Sequence, residues 1–225
     1  MPQDQNPSLS HPVRLSRLVW LGLALAGALL VLAFLLATLK SSAGSGKPLP
    51  VLGQVADFTL TNQNGRVVSL TDLQGRVWVA DIIFTRCAGP CPKMTRQMRD
   101  IQAALPADSH ARLITLTTDP DFDSPAVLKT YAQRFGADFN SWLFLTGSKK
   151  QIAKLAIDSL KLTAIEKTPE ERQSPVDLFV HSTIFVAVDK HGRLRAIFET
   201  SGEGIDLAQV RDQIIGAVRR LERET

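Results

Sequence analysis

A continuous apolar run, VWVADIIFT (77–85), is followed directly by two cysteines and then by a segment with helical periodicity. A run of this length, bounded by polar residues, is typical of a strand that is covered on both faces of a sheet. The segment after the cysteines spaces its apolar residues as a helix does, at Met94, Met98, Ile101 and Leu105. Cys87 and Cys91 are therefore predicted at a strand-to-helix junction, on the sheet edge where α/β folds tend to bind ligands.

The other predicted elements alternate around that junction. A hairpin is expected at 58–70, because two alternating runs flank Asn64-Gly65. Further strands are predicted at 112–118, 179–188 and 193–200, and further helices from Ser124-Pro125, over 149–162 and from about Asp206. This order predicts an α/β protein of the thioredoxin-like pattern, with helices on both sides of a mixed central sheet.

Residues 18–39 form an uncharged apolar stretch. At about 1.5 Å per residue it is long enough to cross the roughly 30 Å hydrocarbon layer of a bilayer. We interpret it as one N-terminal transmembrane helix; a buried core helix and a cleaved signal peptide are the alternatives. The expected organisation is a cytoplasmic tail (1–17), the anchor (18–39), a linker rich in Ser, Gly and Pro (40–50) and the thioredoxin-like domain (51–225).

The two cysteines lie four residues apart. They can form a disulfide or direct both sulfur atoms at one metal ion, and two small buried hydrophobic residues or a static structural disulfide are the alternatives. The amino end of a helix favours negative charge, so we expect a lowered thiol pKa there, with Cys87 on the exposed loop as the more reactive thiol. The spacing lacks the second ligand pair of a structural zinc site and is one residue longer than the C-x-x-C redox motif.

A third metal ligand would have to come from elsewhere in the chain. Three of the four histidines are predicted to be solvated surface residues, namely His11, His110 and His191. Only His181 lies beside a predicted core strand, where a structural histidine is the alternative to a ligand. The acidic segment 119–123 imitates the start of a calcium loop, but Ser124 takes the place of the required glycine, so a turn and a helix start are expected.

Three segments together resemble the Sco/SenC family of copper chaperones in order and spacing. They are FTRCAGPCPKM (84–94), the stretch from TLTTDPDFD to LFLTG (115–147), and VHSTIFVAVDKHGRLRAIF (180–198). The likeness covers most of the chain beyond Val51, whereas C-x-x-x-C alone would be a weak signal. The resemblance implies a thioredoxin-like fold on a single membrane anchor, with copper ligands at Cys87, Cys91 and His181.

Two features depart from the family pattern. The residue before the histidine is commonly aspartate in the family, whereas Val180 occupies that place here and Asp177 lies three residues further back. The intervening residues 88–90, Ala-Gly-Pro, are also smaller than usual. These departures leave open a changed copper affinity or a shift toward redox work.

Two functions are expected from these residues. The first, implied by the resemblance, is a metallochaperone that helps assemble the binuclear copper centre of cytochrome c oxidase subunit II, because two thiolates and one imidazole suit Cu(I) and can also join a Cu(II) site. The second is a thiol-disulfide oxidoreductase that reduces a partner's cysteines, with Cys87 as nucleophile and Cys91 as resolving thiol. Other copper chaperones or thiol-disulfide proteins are further expected partners. A peroxidase is less favoured, since Thr85 lies only two residues ahead of Cys87.

The charge distribution bears on partners and location. The net charge is +4 with no basic run, so no nucleic-acid partner is expected. Arg14 and Arg17 before the apolar stretch nearly balance Lys40 and Lys47 after it, and the positive-inside rule does not decide the orientation. A reversible disulfide is routine only in an oxidising compartment. We therefore expect a single-pass protein of the bacterial inner membrane with its domain on the periplasmic side.

Overall fold

The structure is a computed structural model that describes residues 13–42, 47–172 and 178–224, with the side chains of residues 13–18, 35–42, 164 and 181 outside the description. The chain divides into two compact units, Met1–Lys47 and Pro48–Thr225. In the first unit, helix α1 spans Val13–Ser42, and its described side chains are all exposed. Within the described part of the chain, no helix is both long enough and apolar enough to span a lipid bilayer. The predicted anchor at 18–39 stays a prediction.

The second unit contains ten strands and five α-helices among its described residues. The strands are β1 Gly53–Gln54, β2 Thr59–Asn62, β3 Val67–Ser69, β4 Trp78–Ile83, β5 Arg112–Thr117, β6 Trp142–Thr146, β7 Ala164–Glu166, β8 Phe179–His181, β9 Ile184–Val188 and β10 Arg193–Glu199. The helices are α2 Leu70–Leu73, α3 Cys91–Ala104, α4 Pro125–Arg134, α5 Lys149–Ala153 and α6 Leu207–Arg223. A π-helical turn, Lys154–Ser159, continues α5, and a 3-10 turn spans Pro169–Glu171.

Eight strands form one mixed sheet in the order β1-β10-β9-β4-β5-β6-β2-β3. The central strands β4, β5 and β6 are parallel, and β9 and β2 flank them in the antiparallel sense. The two remaining strands, β7 and β8, form a separate antiparallel pair. The predicted mixed central sheet is confirmed.

Strand β4 separates two hydrophobic clusters, because its side chains alternate between the two faces of the sheet. Val79 and Ile83 contact the cluster formed with α3, α4 and α6. Trp78 and Ile82 contact the cluster formed with the β2–β3 hairpin and α5. All six residues of β4 are buried, and each large apolar side chain that is fully buried contributes about 1.5–3 kcal/mol.

Local signals predicted several elements correctly. The β2–β3 hairpin turns at Asn64-Gly65, where Gly65 has φ +75°, a backbone conformation that glycine adopts readily. Helix α4 starts where Ser124-Pro125 predicted it, with Ser124 as the N-cap. In both places the residue type alone specifies the backbone geometry.

The predicted continuous strand 179–188 is wrong. The chain forms β8 up to His181, leaves regular structure at Ser182 and Thr183, and resumes as β9 in the central sheet. The break arises because β8 pairs with β7, whereas the backbone of Thr183 accepts from Thr200 at 2.9 Å beside β10. The segment around His181 therefore lies outside the central sheet.

Candidate metal centre

The loop that carries Cys87 begins where β4 ends. The backbone N–H of Cys87 donates to the carbonyl of Phe84 at 3.2 Å, which closes a tight turn. Cys87 is half-buried, and the N–H of Gly89 donates to its sulfur at 3.3 Å. This donor favours negative charge on the Cys87 sulfur, because a hydrogen bond to the charged form stabilises it.

Cys91 is the first residue of α3 and is fully buried. Burial raises the pKa of its thiol well above the ordinary value, and the hydrogen bond with Cys87 and the charge of Cys87 raise it further. For Cys91, burial thus acts in the direction opposite to the lowering predicted for a thiol at a helix N-terminus. Both cysteines are in the thiol form, and the structure brings them together through the hydrogen bond between their side chains.

Asp123 holds the loop just before Cys87. Its buried carboxylate accepts from the backbone N–H of Thr85 at 3.1 Å and from the Thr117 hydroxyl at 2.5 Å, and it also bonds to the Thr85 hydroxyl. Burial raises the pKa of Asp123, and these hydrogen bonds oppose that rise. The acidic segment starts a turn and a helix, as predicted. It also positions the loop 84–90 that carries Cys87, which we call the thiol loop.

A second carboxylate of this segment holds Arg86, the neighbour of Cys87. Asp119 accepts from the Arg86 guanidinium at 2.5 and 3.1 Å. The guanidinium also lies 4.1 Å from the centre of the Phe122 ring, a cation–π distance. Sequence reasoning missed both contacts, although two aspartates at the carboxyl end of β5 would have been a signal, since parallel strands end at the same sheet edge.

A buried polar network lies beneath the cysteines. Asp81, inside β4 and fully buried, accepts from the Thr115 hydroxyl at 2.6 Å, and that hydroxyl accepts from the Trp142 indole at 2.9 Å. The charge of Asp81 acts in the same direction as burial on the pKa of Cys91. In the sequence, Asp81 is one residue of the apolar run 77–85, and no local signal marks it as part of a polar network.

His181 is the residue whose role the structure leaves as a prediction. Its backbone pairs with Ala164 in the β7–β8 ribbon, and its side chain lies outside the described residues, as does Asp177. Two residues earlier, Phe179 packs edge-on against Phe84 with ring centroids 5.1 Å apart. Strand β8 therefore lies against the end of β4 from which the cysteine loop departs.

Two further observations bear on the predicted ligand set. In the described part of the chain, no group of three His, Cys, Asp or Glu side chains could hold a metal ion. Val180, which stands where the family commonly has aspartate, is 47% exposed. Among the predicted ligands, the structure thus describes the side chains of the two cysteines, whose soft sulfur atoms suit copper ions.

Comparison with known proteins identifies the family. The SCO1/SenC family model matches residues 51–216. The SCO1 protein homolog of Bacillus subtilis is 40% identical over 147 residues, which cover 64% of this chain and 73% of that protein.

Solved structures agree in fold. BsSco, described as a member of the Sco family of cytochrome c oxidase assembly proteins and as having a disulfide switch, has a TM-score of 0.66 and 35% identity over 80% of this chain and 99% of its own. Yeast Sco1 with copper bound has a TM-score of 0.60 and 26% identity over 76% of this chain and 90% of its own. The predicted thioredoxin-like fold is confirmed, relatives of this chain bind copper, and the chain is a member of the SCO1/SenC family.

Proposed function

We propose that this protein is a membrane-anchored copper metallochaperone that binds copper through Cys87, Cys91 and His181. The observation that supports it most is the pairing of two thiols before and at the start of α3, the half-buried Cys87 in the preceding loop and the fully buried Cys91 at the first helical position. Two thiolates are soft ligands that prefer Cu(I), and one imidazole completes a three-coordinate set. Copper is here the cargo of the protein.

The environment of Cys91 makes copper binding depend on proton release. Because burial raises the pKa of this thiol, it carries its proton at neutral pH until a metal ion displaces it. The dithiol is also required, since oxidation of the pair to a disulfide removes both sulfur ligands. Copper loading would then depend on both pH and redox state.

The third ligand is proposed from position and resemblance. Phe179 of β8 packs on Phe84, three residues before Cys87, so the strand that contains His181 lies near the thiol loop. Val180 cannot supply the carboxylate that commonly precedes this histidine in the family. We therefore expect an imidazole less firmly oriented by its neighbours, since a carboxylate partner normally fixes the ring of a ligating histidine.

The same thiols support a second function, thiol-disulfide exchange. The Cys87 thiolate would attack a partner disulfide, forming a mixed disulfide and releasing one partner thiol. Cys91 would then lose its proton and attack the Cys87 sulfur, which releases the second partner thiol and leaves Cys87 and Cys91 joined. The exposure of Cys87 and the Gly89 N–H on its sulfur favour this order of attack.

The proposal includes attachment to a membrane and a recipient for the copper ion. Residues 18–39 would anchor the chain in the bacterial inner membrane with its domain on the periplasmic side. The uncharged sequence and large exposed apolar side chains such as Trp20, Leu30 and Phe34 support an anchor, since such side chains are stable in lipid. The recipient would be the binuclear copper site of cytochrome c oxidase subunit II, in keeping with the assembly role stated for BsSco.

Copper retention by the two redox forms tests the proposal. The reduced and the oxidised chain are exposed to Cu(I) without oxygen, passed through a desalting column and analysed for metal. We expect one copper per reduced chain and none per oxidised chain. A reduced chain that retains no copper yet rapidly reduces a disulfide substrate would exclude the chaperone and support the second function.

A further inference from the structure

The unit Pro48–Thr225 has a basic surface at the end opposite the thiol loop. Four basic residues, Arg76, Lys190, Arg219 and Arg223, line an open cleft of about 560 Å³ together with the acidic residues Asp108 and Glu222. We call this surface the basic end. Arg76 lies two residues before β4, whereas Cys87 lies four residues after it, and the strand's six residues span roughly 20 Å.

Positive charge dominates the basic end. One of its two carboxylates, Glu222, already accepts from the Ser109 hydroxyl at 2.8 Å and from the backbone N–H of His110 at 3.0 Å. Arg219 and Arg223, in the last turns of α6, are both exposed. Burial and the nearby charge of Arg76 lower the pKa of Arg112, as expected where cations crowd together.

The chain enters this unit beside the basic end. The buried Arg195 guanidinium donates to the carbonyl of Leu49 at 2.5 Å and to that of Pro50 at 3.1 Å. It also binds Asp189, whose neighbour Lys190 donates to the carbonyl of Glu222 at 3.2 Å. The first residues of this unit, Leu49 and Pro50, are thus fixed next to the cations.

We propose that the basic end docks on an anionic membrane surface and recognises the phosphate groups of lipids such as phosphatidylglycerol. The inference rests on the membrane attachment in the proposed function, since the chain enters the unit at Leu49, beside this end. Charge complementarity supports it, since basic side chains close to an anionic surface each contribute about 1 kcal/mol. Docking in this way turns the Cys87 loop away from the bilayer and toward a partner protein.

Vesicle sedimentation of the unit Pro48–Thr225 tests the proposal without the apolar segment. All described residues of both hydrophobic clusters lie in this unit, so it carries its own core. The wild type is compared with the double variant Arg219→Gln, Arg223→Gln. The matched control Arg96→Gln, Arg134→Gln removes two exposed arginines from α3 and α4.

The wild type and the control should sediment with vesicles of phosphatidylglycerol and phosphatidylcholine, and not with phosphatidylcholine alone. The basic-end variant should lose roughly 30-fold in partitioning, because each charge accounts for about fivefold. Equal partitioning of both variants, or a wild type that stays in the supernatant, overturns the docking surface. Copper retention is measured on the same samples: a wild type that retains no copper refutes the proposed copper function, whatever the vesicles show.

Discussion

The backbone N–H of Thr85 donates to the buried carboxylate of Asp123 at 3.1 Å, across 38 residues of sequence. The hydroxyl of Thr117, the last residue of β5, donates to the same carboxylate at 2.5 Å. Asp123 thereby joins the ends of two parallel strands and fixes the turn two residues before Cys87. The geometry of the thiol pair therefore depends on a residue that contributes no sulfur.

Replacing Asp123 should lower both the stability of the fold and the Cu(I) affinity of the thiol loop. In Asp123→Asn an amide donor takes the place of one acceptor, leaving buried donors of Thr85 or Thr117 without a partner. We expect the free energy of unfolding to fall by about 1–3 kcal/mol and Cu(I) affinity to fall with it. Urea denaturation and copper competition measure the two effects.

Asp121→Asn is the matched control for this change. The Asp121 side chain is 74% exposed and pairs with Lys149 at 3.0 Å, so its removal should cost less than about 1 kcal/mol. Equal losses in the two variants would show that Asp123 has no special role in the loop.

The two thiols should differ in reactivity toward iodoacetamide. Cys87 is half-buried, whereas Cys91 is fully buried with a raised pKa, so less of it is thiolate at neutral pH. In single-thiol variants, Cys91→Ser should be alkylated at least about tenfold faster than Cys87→Ser. Both should react at similar rates in denaturant. Faster alkylation of Cys91 in the folded protein would refute this assignment.

Arg195 should contribute strongly to stability. Its side chain is 3% exposed and bonds at 2.7 Å to Asp189, which is 2% exposed. Arg195→Gln breaks a buried ion pair, and a loss of about 3–5 kcal/mol in unfolding free energy is expected by urea denaturation. Arg193 contacts the same carboxylate at 2.7 Å but is 35% exposed, so Arg193→Gln should cost about 1 kcal/mol or less. The reverse order of losses would contradict the structure.

Asp189 should also make the free energy of unfolding depend on pH. Burial alone would raise the pKa of Asp189, but hydrogen bonds from Arg193, Arg195 and the His191 N–H hold it below its ordinary value of 3.8. A lowered folded-state pKa stabilises the protein above about pH 4, and this stabilisation is lost as the pH falls through the folded-state value. The unfolding free energy should therefore decline below about pH 4, and Asp189→Asn should show a shallower decline. An unchanged acid dependence in the variant would contradict this assignment.

The parts of the fold that local physics specifies were predictable from the sequence. The apolar run 77–85 predicted β4, which lies in the middle of the sheet and is buried throughout. Asn64-Gly65 predicted a hairpin and Ser124-Pro125 a helix start, because each pair favours one backbone geometry. The proximity of Cys87 and Cys91 followed from their spacing at the junction between β4 and α3.

The parts that long-range contacts decide were not predictable. No local signal separates β8 from β9, because the separation depends on pairing with β7. Arg195 lies in a strand, and its partners far along the chain, such as the Leu49 carbonyl and the Glu224 carboxylate, explain its burial together with Asp189. The raised pKa of Cys91 likewise depends on burial among side chains from several elements, which a helix-terminus argument does not include.

A Cu(I) competition titration without oxygen tests the central claim most directly. Reduced wild type is compared with His181→Ala and with the control His191→Ala, which removes an exposed imidazole from the β9–β10 turn. We predict one Cu(I) per chain, an affinity at least about tenfold lower in His181→Ala, and an unchanged affinity in His191→Ala. Wild-type affinity in His181→Ala would contradict a copper site made by Cys87, Cys91 and His181.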